Sequence, residues 1–381
     1  MSDFSDLIRF IKSQFGNKEF VPLHEPSFLG NEKKYVLDCI ESTYVSSVGT
    51  YVDRLELMMS SISSTEKSIA VVNGTSGLQI ALKLVGVKDG DEVITQALTF
   101  IATINAIIYN GASPIFVDVD LDTMGLSPSA VEKFLEEFGE LRDGVCYNKK
   151  TNKKISACMP MHTFGFPVHL NELLKVCSKW NIPIVEDAAE AIGSEYHSKP
   201  IGCFGKLGVF SFNGNKIVTS GGGGVLVTND VELGIKAKHL TTTAKIPHPY
   251  EFVHDDVGYN FRMPNLNAAL ACAQLEQLDL FLENKSELAK TYRSFFTRRG
   301  INFRTQMQDT RANYWLMCLE LENRVDRDLF LKYTNKNGVM TRPIWQLMFK
   351  MPMFCSFQKD SQQNALFLEE RIVNIPSSVR K

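Results

Sequence analysis

The sequence lacks the features that would direct it to nucleic acid or into a membrane. Its 381 residues include 41 lysine and arginine residues against 43 aspartate and glutamate residues, which gives a net charge of −2. A balance so near zero provides no excess of positive charge for nucleic acid or for an anionic membrane surface. No apolar run reaches the length of about 20 residues that a membrane-spanning helix requires. We therefore expect neither kind of partner.

The cysteines lack a pattern as well. All eight are scattered and none forms a CxxC pair, which argues against a zinc site or a disulfide framework and fits a reducing cytoplasm. The amino-terminal segment has no uninterrupted apolar stretch of the kind found in signal peptides. Its apolar side chains instead predict one face of an amphipathic helix, formed by Phe4, Leu7, Ile8 and Ile11. We expect a cytoplasmic protein without a metal site.

What the chain does contain is a regular alternation of predicted strands and helices. Apolar, β-branched segments at 68–73, 92–96 and 114–120 alternate with segments of helical periodicity at 74–87 and 128–138. Such alternation with short connections predicts an α/β fold with a mostly parallel sheet covered by helices on both faces. Ligands of these sheets bind at the carboxyl ends of the strands.

A segment rich in proline, histidine and aromatic residues, 242–260, interrupts this alternation. Beyond it we predict a long helix over about 264–298, a strand within 313–322 and a helix near 326–336. These elements indicate a smaller α/β unit. We therefore divide the chain into a large domain, 1–248, and a small carboxy-terminal domain, 249–381.

The segment Asn-Gly-Thr-Ser-Gly, which begins at Asn73, lies between a predicted strand and a predicted helix. Free N–H groups at the helix start, the helix dipole and the hydroxyls of Thr75 and Ser76 together make a site for an anion. The alternative is that Thr75 or Ser76 merely caps the helix.

Three further segments have both a functional and a structural interpretation. Asp187 ends an apolar predicted strand, where a carboxylate is partly desolvated and requires a cationic partner, unless it only caps the next helix. His162 also ends a strand, and a hydrogen-bonded structural histidine is the better interpretation there. Asn260 and Arg262 precede a helix, and Arg262 could bind a phosphate or pair with a nearby aspartate.

Lys216 lies between two predicted buried strands and just before four consecutive glycines, residues 221–224. Glycine allows the backbone to approach a ligand closely. A lysine among apolar neighbours loses affinity for its proton and becomes a usable nucleophile and base. An amine of this kind, the carboxylate of Asp187 and the anion site at Gly74–Ser76 are together the parts that a pyridoxal phosphate enzyme requires.

With these parts in place, the chain resembles the DegT/DnrJ/EryC1/StrS family of nucleotide-sugar aminotransferases. The resemblance runs from residue 21 to residue 345 and is most specific in NGTSGLQIAL, EDAAEAIGS and SFNGNKIVTSGGGG. The segments RDGVCYNKKTNKKISACMPMHTFG and EFVHDDVGYNFRM are similar to the LegC-type branch. The resemblance implies the aspartate-aminotransferase-like fold, which is fold type I, and a homodimer with shared active sites.

The resemblance also implies roles for particular residues. Lys216 would form the covalent bond to pyridoxal 5′-phosphate, and Asp187 would contact the ring nitrogen. Phe100 would stack on the ring. The phosphate would be bound by Gly74, Thr75, Ser76 and Ser211. Asn260 or Arg262 would complete the site of the partner subunit.

The expected reaction is transfer of an amino group, with L-glutamate as donor and pyridoxamine 5′-phosphate as the intermediate form of the cofactor. The acceptor would be C4 of a UDP-linked 4-keto-6-deoxy-N-acetylhexosamine, in the biosynthesis of a surface sugar of legionaminic acid or bacillosamine type. Glu190 stands where many members of the family carry Gln or His beside the phenolic oxygen of the cofactor. An ionised carboxylate donates no hydrogen bond, so Glu190 is a candidate for the sugar side, as is His162 at lower rank.

Several alternatives remain open from the sequence. A C3 aminotransferase or another sugar-modifying enzyme of the family would use the same cofactor, although the 3-dehydratase branch carries His where this chain has Lys216. A non-enzymatic regulator could share the fold. A Rossmann oxidoreductase ranks last, because no GxGxxG follows an early strand.

Overall fold

A computed structural model of the chain describes residues 4–380. Over those residues it has twelve α-helices, eighteen β-strands and two short 3₁₀ helices. The α-helices are α1 (Ser5–Gln14), α2 (Glu32–Glu41), α3 (Thr50–Ser63), α4 (Gly74–Leu84), α5 (Ile101–Ile108), α6 (Pro128–Phe138), α7 (Leu170–Lys179), α8 (Val231–Thr241), α9 (Asn265–Leu275), α10 (Leu278–Thr297), α11 (Arg324–Lys336) and α12 (Gln363–Arg371).

The strands follow the same chain order, and many of the later ones are short. They are β1 (Lys67–Val71), β2 (Glu92–Gln96), β3 (Ser113–Val117), β4 (Gly139–Arg142), β5 (Val145–Asn148), β6 (Lys153–Met159), β7 (Val185–Asp187), β8 (Glu195–Tyr196), β9 (Lys199–Pro200), β10 (Leu207–Ser211), β11 (Gly224–Thr228), β12 (Lys245–Ile246), β13 (Val253–His254), β14 (Asn302–Phe303), β15 (Thr310–Arg311), β16 (Met317–Glu320), β17 (Arg342–Pro343) and β18 (Ile372–Ile375).

The central sheet has the strand order β1-β11-β10-β7-β6-β2-β3. Parallel bridges between Cys158 and Ile184 and between Met161 and Asp187 join β6 to β7. Within this sheet β11 runs antiparallel to both of its neighbours, and the remaining neighbours are parallel. The predicted α/β fold with a mostly parallel sheet is confirmed. Because the parallel strands end at one edge, the loops that follow β1, β7 and β10 meet there.

Helix α4 packs closely on the central sheet. Its buried residues include Leu78, Ala81 and Leu82, whose i, i+3, i+4 spacing places them on one face of the helix. At Gly77 a Cβ atom would lie 2.7 Å from Cγ1 of Val209 on β10. Only glycine permits this approach, and the amino terminus of α4 is thereby held close to the end of β10.

A second, antiparallel sheet lies in the carboxy-terminal part of the chain, with the order β14-β16-β18-β17. The predicted amphipathic helix α1 packs on this part: Phe10 stacks on Phe295 with ring centroids 3.5 Å apart, and Phe4 meets Phe330 edge-on at 5.4 Å. Segments from both ends of the chain thus share one core. The domain boundary at residue 248 stays a prediction.

The prediction of one helix over 264–298 is wrong, because the chain turns between α9 and α10. The carboxylate of Glu276 at this turn accepts hydrogen bonds from Asn31, Tyr35 and Arg54, and the Gln277 amide donates to Glu32 at 2.8 Å. These contacts with α2, α3 and the residue before α2 fix the turn. No glycine or proline marks it in the sequence, so local pattern could not reveal it.

Among residues 4–380 no helix combines the length and the apolar character needed to cross a bilayer. The eight cysteines, all of which lie in this part of the chain, are free thiols.

Candidate active site

A cavity of about 630 Å³ opens at the edge of the central sheet where β1, β7 and β10 end. Lys216 lies in the turn that follows β10, while Asp187 and Ser211 are the last residues of β7 and β10. All three line the cavity, together with Thr75 from the start of α4. The structure therefore brings together the predicted lysine, carboxylate and anion-binding residues.

The first turn of α4 faces the cavity through Gly74 and Thr75. Asn73 caps the helix, since its Oδ1 accepts the N–H of Ser76 at 2.8 Å. Neither Thr75 nor Ser76 has the capping role that the sequence left open, so the Thr75 hydroxyl is available to a ligand. Ser76 is buried and is not part of the cavity wall.

Ser211 lies directly beside this helix start. A Cβ atom on Gly74 would approach the Ser211 Cβ to 3.1 Å, so glycine is what allows the hydroxyl and the helix terminus to lie side by side. The N–H groups of a first helical turn have no acceptors within the helix. Together with the helix dipole they favour a phosphate or another anion at this place.

Asp187 is buried, with 3% of its surface exposed. Its Oδ2 accepts a hydrogen bond from the Thr103 hydroxyl at 2.7 Å, and its Oδ1 accepts the N–H of Ala189 at 3.2 Å. Burial raises the pKa of the Asp187 carboxyl, while these two donors and the Lys216 ammonium favour its ionised form. A buried carboxylate held in this way suits a positively charged N–H group of a ligand in the cavity.

Lys216 has 9% of its surface exposed, and its Nζ lies between an acid and an aromatic ring. Oε1 of Glu190 is 3.3 Å from Nζ, and the ring centroid of Trp315 is 3.7 Å from it. The other carboxylate oxygen of Glu190 accepts the N–H of Phe164 at 2.9 Å. Burial raises the pKa of Glu190 to about 7, against the opposing effects of Lys216 and the Phe164 N–H.

The four glycines after Lys216 form the turn that leads into β11. Gly221 and Gly223 have φ angles of +75° and +139°, which side chains rarely adopt. A Cβ atom on Gly224 would lie 2.8 Å from the backbone nitrogen of Gly74 and 2.7 Å from the carbonyl oxygen of Phe210. The run of glycines therefore serves both the turn and the close approach of backbone to the anion site.

His162 lies outside the cavity wall. It is fully buried, its Nε2 is 3.3 Å from the Glu186 carboxylate, and its Nδ1 accepts the N–H of Val168. Glu186 in turn accepts the N–H groups of residues 202, 204 and 205. These contacts match the structural interpretation of His162, and its contact with a sugar stays a prediction.

Asn260 and Arg262 are exposed and are not part of this cavity. The guanidinium of Arg262 donates to Oδ1 of Asn260 at 3.0 and 3.1 Å, so it pairs with this amide and not with Asp255 or Asp256. A bridge between Val71 and Arg262 places the segment beside β1, the edge strand of the sheet. Within one chain neither residue reaches Lys216.

The opposite wall of the cavity was not anticipated from the sequence. It comes from the carboxy-terminal part of the chain and includes Trp315, Arg342, Trp345, Gln346 and Asn374. The predicted Phe100 lies at the mouth, half exposed, with its ring centroid 6.4 Å from that of Trp345. The segment TRPIW contains two of these residues, and its clustering of arginine with tryptophan was the available signal.

Comparisons with known proteins agree with this geometry. The model of the family described as DegT/DnrJ/EryC1/StrS aminotransferase matches residues 27–380. The GDP-perosamine synthase of Escherichia coli O157:H7 is 35% identical over 94% of this chain and 93% of its own, and that of Vibrio cholerae is 33% identical over 94% of each. A solved structure is also similar, that of Helicobacter pylori PseC, an aminotransferase involved in the biosynthesis of pseudoaminic acid. The match covers 94% of each chain with a TM-score of 0.85 at 23% identity, which shows a shared fold.

Proposed function

The chain belongs to the DegT/DnrJ/EryC1/StrS aminotransferase family, and on that basis we propose that it aminates C4 of a nucleotide-linked 4-keto-6-deoxyhexose. It is a pyridoxal-phosphate-dependent sugar aminotransferase, and its sequence-based assignment to the family is confirmed. One observation carries the proposal for the site: the Lys216 amine and the Asp187 carboxylate share a cavity with the amino terminus of α4.

The residues of the cavity fit pyridoxal 5′-phosphate, the cofactor of the family. When bound, this cofactor supplies an aldehyde carbon and a protonated ring that withdraws electrons from the reacting carbon. The first turn of α4, with the hydroxyls of Thr75 and Ser211, would hold its phosphate. Asp187 would hold the ring nitrogen, and Phe100 at the mouth would cover a ring face. Lys216 Nζ would hold the aldehyde carbon.

The protein groups divide the proton chemistry between them. With the cofactor bound, the amine of Lys216 would move a proton to and from the reacting carbon. Glu190, 3.3 Å from that amine, favours its protonated form and thus its action as an acid. Asp187 would favour a protonated ring nitrogen, because its two hydrogen-bond donors favour the ionised carboxylate.

The relatives support C4 as the position of amination. Two of them are named GDP-perosamine synthases, and perosamine is a 4-amino sugar. These names favour GDP as the carrier nucleotide over the UDP that the resemblance to the LegC-type branch implied. The expectations of an N-acetylated sugar, a product of legionaminic acid or bacillosamine type and L-glutamate as donor remain proposals.

A panel of substrates tests this function. The protein is incubated with L-glutamate and with GDP-linked or UDP-linked 4-keto-6-deoxyhexoses, with and without an N-acetyl group, and the product is identified by NMR. We expect a new amino group at C4 and the largest kcat/KM for one nucleotide. An amino group at C3 would refute the C4 assignment, and loss of a hydroxyl without amination would indicate a dehydratase.

Lys216→Ala is the matching test of the site. We expect the purified wild-type protein to be yellow and the variant to lose both that absorbance band and turnover. Full turnover in the variant would refute the assigned role of Lys216. A wild-type protein that binds no cofactor at all would instead support a regulator on this fold.

We also propose that the protein is a homodimer with shared sites, in which Asn260 or Arg262 reaches the partner's cavity. The segment around them exposes large apolar side chains: Tyr250 is 83% exposed and Phe252 85%. Such exposure is typical of an interface. If Arg262 is shared, mixing inactive Lys216→Ala and Arg262→Ala subunits should restore about one quarter of the activity, because half of the dimers gain one intact site. No recovery after subunit exchange would contradict this.

A further inference from the structure

We infer that Trp315 is a positioning residue that holds the Lys216 ammonium whenever the lysine is not bonded to the cofactor. The inference rests on the proposed role of Lys216 and concerns the part of the reaction in which its amine is free. It assigns a task to a residue that approaches the cavity from the carboxy-terminal part of the chain.

The geometry places the ammonium between two groups that attract it. Nζ of Lys216 lies 3.7 Å from the ring centroid of Trp315, well within the range of about 6 Å for a cation–π interaction. Oε1 of Glu190 is 3.3 Å from the same nitrogen. Tryptophan provides the most favourable ring for a cation, and burial removes competing water. We call these two groups the Trp315–Glu190 pair.

One buried amide fixes both members of this pair. The side chain of Asn313, 2% exposed, accepts the backbone N–H of Trp315 at 2.9 Å and donates to the backbone carbonyl of Glu190 at 2.8 Å. The spacing between the indole and the carboxylate is therefore set by the fold and not by Lys216. This is the arrangement expected of a preformed site for the amine.

Trp315 is also connected to the turn that carries the lysine. Its indole Nε1 donates to the carbonyl oxygen of Asn215 at 2.7 Å, and its own carbonyl accepts a hydrogen bond from the buried Lys285 at 3.3 Å. Trp315 thus makes two separable contacts with this turn. The ring face holds the ammonium, and the indole N–H holds the backbone one residue earlier.

A defined resting place matters because the amine must leave the aldehyde carbon and later return to it. A free lysine side chain has about 2 kcal/mol of rotamer entropy, which spreads its amine over many positions. The Trp315–Glu190 pair restricts the amine to one position at the cavity wall. Both members stabilise its protonated form, so the same contact keeps a proton next to the reacting carbon.

The test uses the holoenzyme loaded with pyridoxamine 5′-phosphate, in which Lys216 has no bond to the cofactor. Lysine labelled with ¹³C at Cε is observed by NMR, and the Lys216 signal is assigned by its loss in Lys216→Met. We expect an upfield shift of this signal in the wild type, because Nζ lies over the indole ring. A Lys216 signal at the position of exposed lysines would overturn the inference.

Variants of Trp315 then separate its two contacts. In Trp315→Leu the ring face is lost, and we expect the upfield shift of the Lys216 signal to vanish. Trp315→Phe keeps a ring face and should retain most of the upfield shift. Trp180→Phe, far from the cavity wall, is the control. The groups that face Lys216, namely Glu190, Asp187 and His24, are the same in all these proteins.

Two outcomes would refute the inference. A Lys216 signal at the same position in the wild type and Trp315→Leu would show that the ring does not hold the ammonium. A Trp315→Phe protein that behaves as Trp315→Leu would show that only the indole N–H matters. If Trp315→Leu does not fold, the upfield shift in the wild type and in Trp315→Phe still decides the question. Failure of the proposed function is a different result: the wild-type protein loaded with pyridoxal 5′-phosphate would then show no bond between Lys216 and the cofactor.

Discussion

The charge of Asp187 can be perturbed through Thr103 without changing the carboxylate itself. The Thr103 hydroxyl donates to Oδ2 of Asp187 at 2.7 Å and is fully buried. Thr103→Val removes this donor and keeps nearly the same shape. A hydrogen bond to a charged group contributes about 1.5–3 kcal/mol, which corresponds to a further rise of about 1–2 units in the pKa of Asp187.

The assay is the pH dependence of kcat in the wild type, Thr103→Val and Thr103→Ser. A raised pKa leaves less ionised Asp187 at a given pH, so the acid limb of the Thr103→Val profile should move to higher pH by about 1–2 units. Thr103→Ser keeps the hydroxyl and should follow the wild type. An unshifted profile in a folded Thr103→Val protein would refute the claim that Asp187 must be ionised for catalysis.

Two further predictions concern the fold. Gly77→Ala places a Cβ atom 2.7 Å from Val209 Cγ1 and should lower the free energy of unfolding, measured in urea, by about 1–3 kcal/mol. The control is Gly222→Ala, whose Cβ atom meets nothing within 4 Å and should leave the stability unchanged. Equal stabilities of the two variants would contradict the packing argument. Burial lowers the pKa of Lys285 from 10.5 to about 7. Between these values the unfolded chain binds the proton and the folded protein does not. The free energy of unfolding of the wild type, measured in urea relative to that of Lys285→Met, should therefore rise by about 1 kcal/mol per pH unit between pH 8 and 9. A difference between the two proteins that does not change with pH would show that Lys285 stays charged in the fold.

Local pattern was sufficient for the elements of the central sheet. Helix α6 and strand β2 were predicted at their observed bounds, because each has a clear periodicity and marked ends. The turn between α9 and α10 was missed because it depends on hydrogen bonds that Glu276 accepts from residues more than 200 positions away. The sequence neighbours of such a turn do not encode it.

The residues of the site also fall into two groups, those that the sequence pattern predicted and those that it did not. Asp187 and Ser211 end two parallel strands and Lys216 follows the second of them, so the rule that ligands bind at the carboxyl ends of strands predicts that they meet. Asn374 lies on β18 of the antiparallel sheet, whereas Trp315 lies two residues before β16, and no short-range rule predicts which side chains of this part face the cavity. Asn73 was overlooked as the cap of α4, although asparagine before Gly-Thr-Ser is a favourable capping residue.

The central claim is that Lys216 is the residue that bonds to the cofactor, and reduction with borohydride tests it most directly. The purified holoenzyme is reduced, digested and analysed by mass spectrometry for the peptide that carries the cofactor. Lys285 is the natural competitor, since it is also buried and its pKa is lowered to about 7, but it does not line the cavity. We predict the adduct on Lys216 alone. An adduct on Lys285 or on any other lysine would contradict the account.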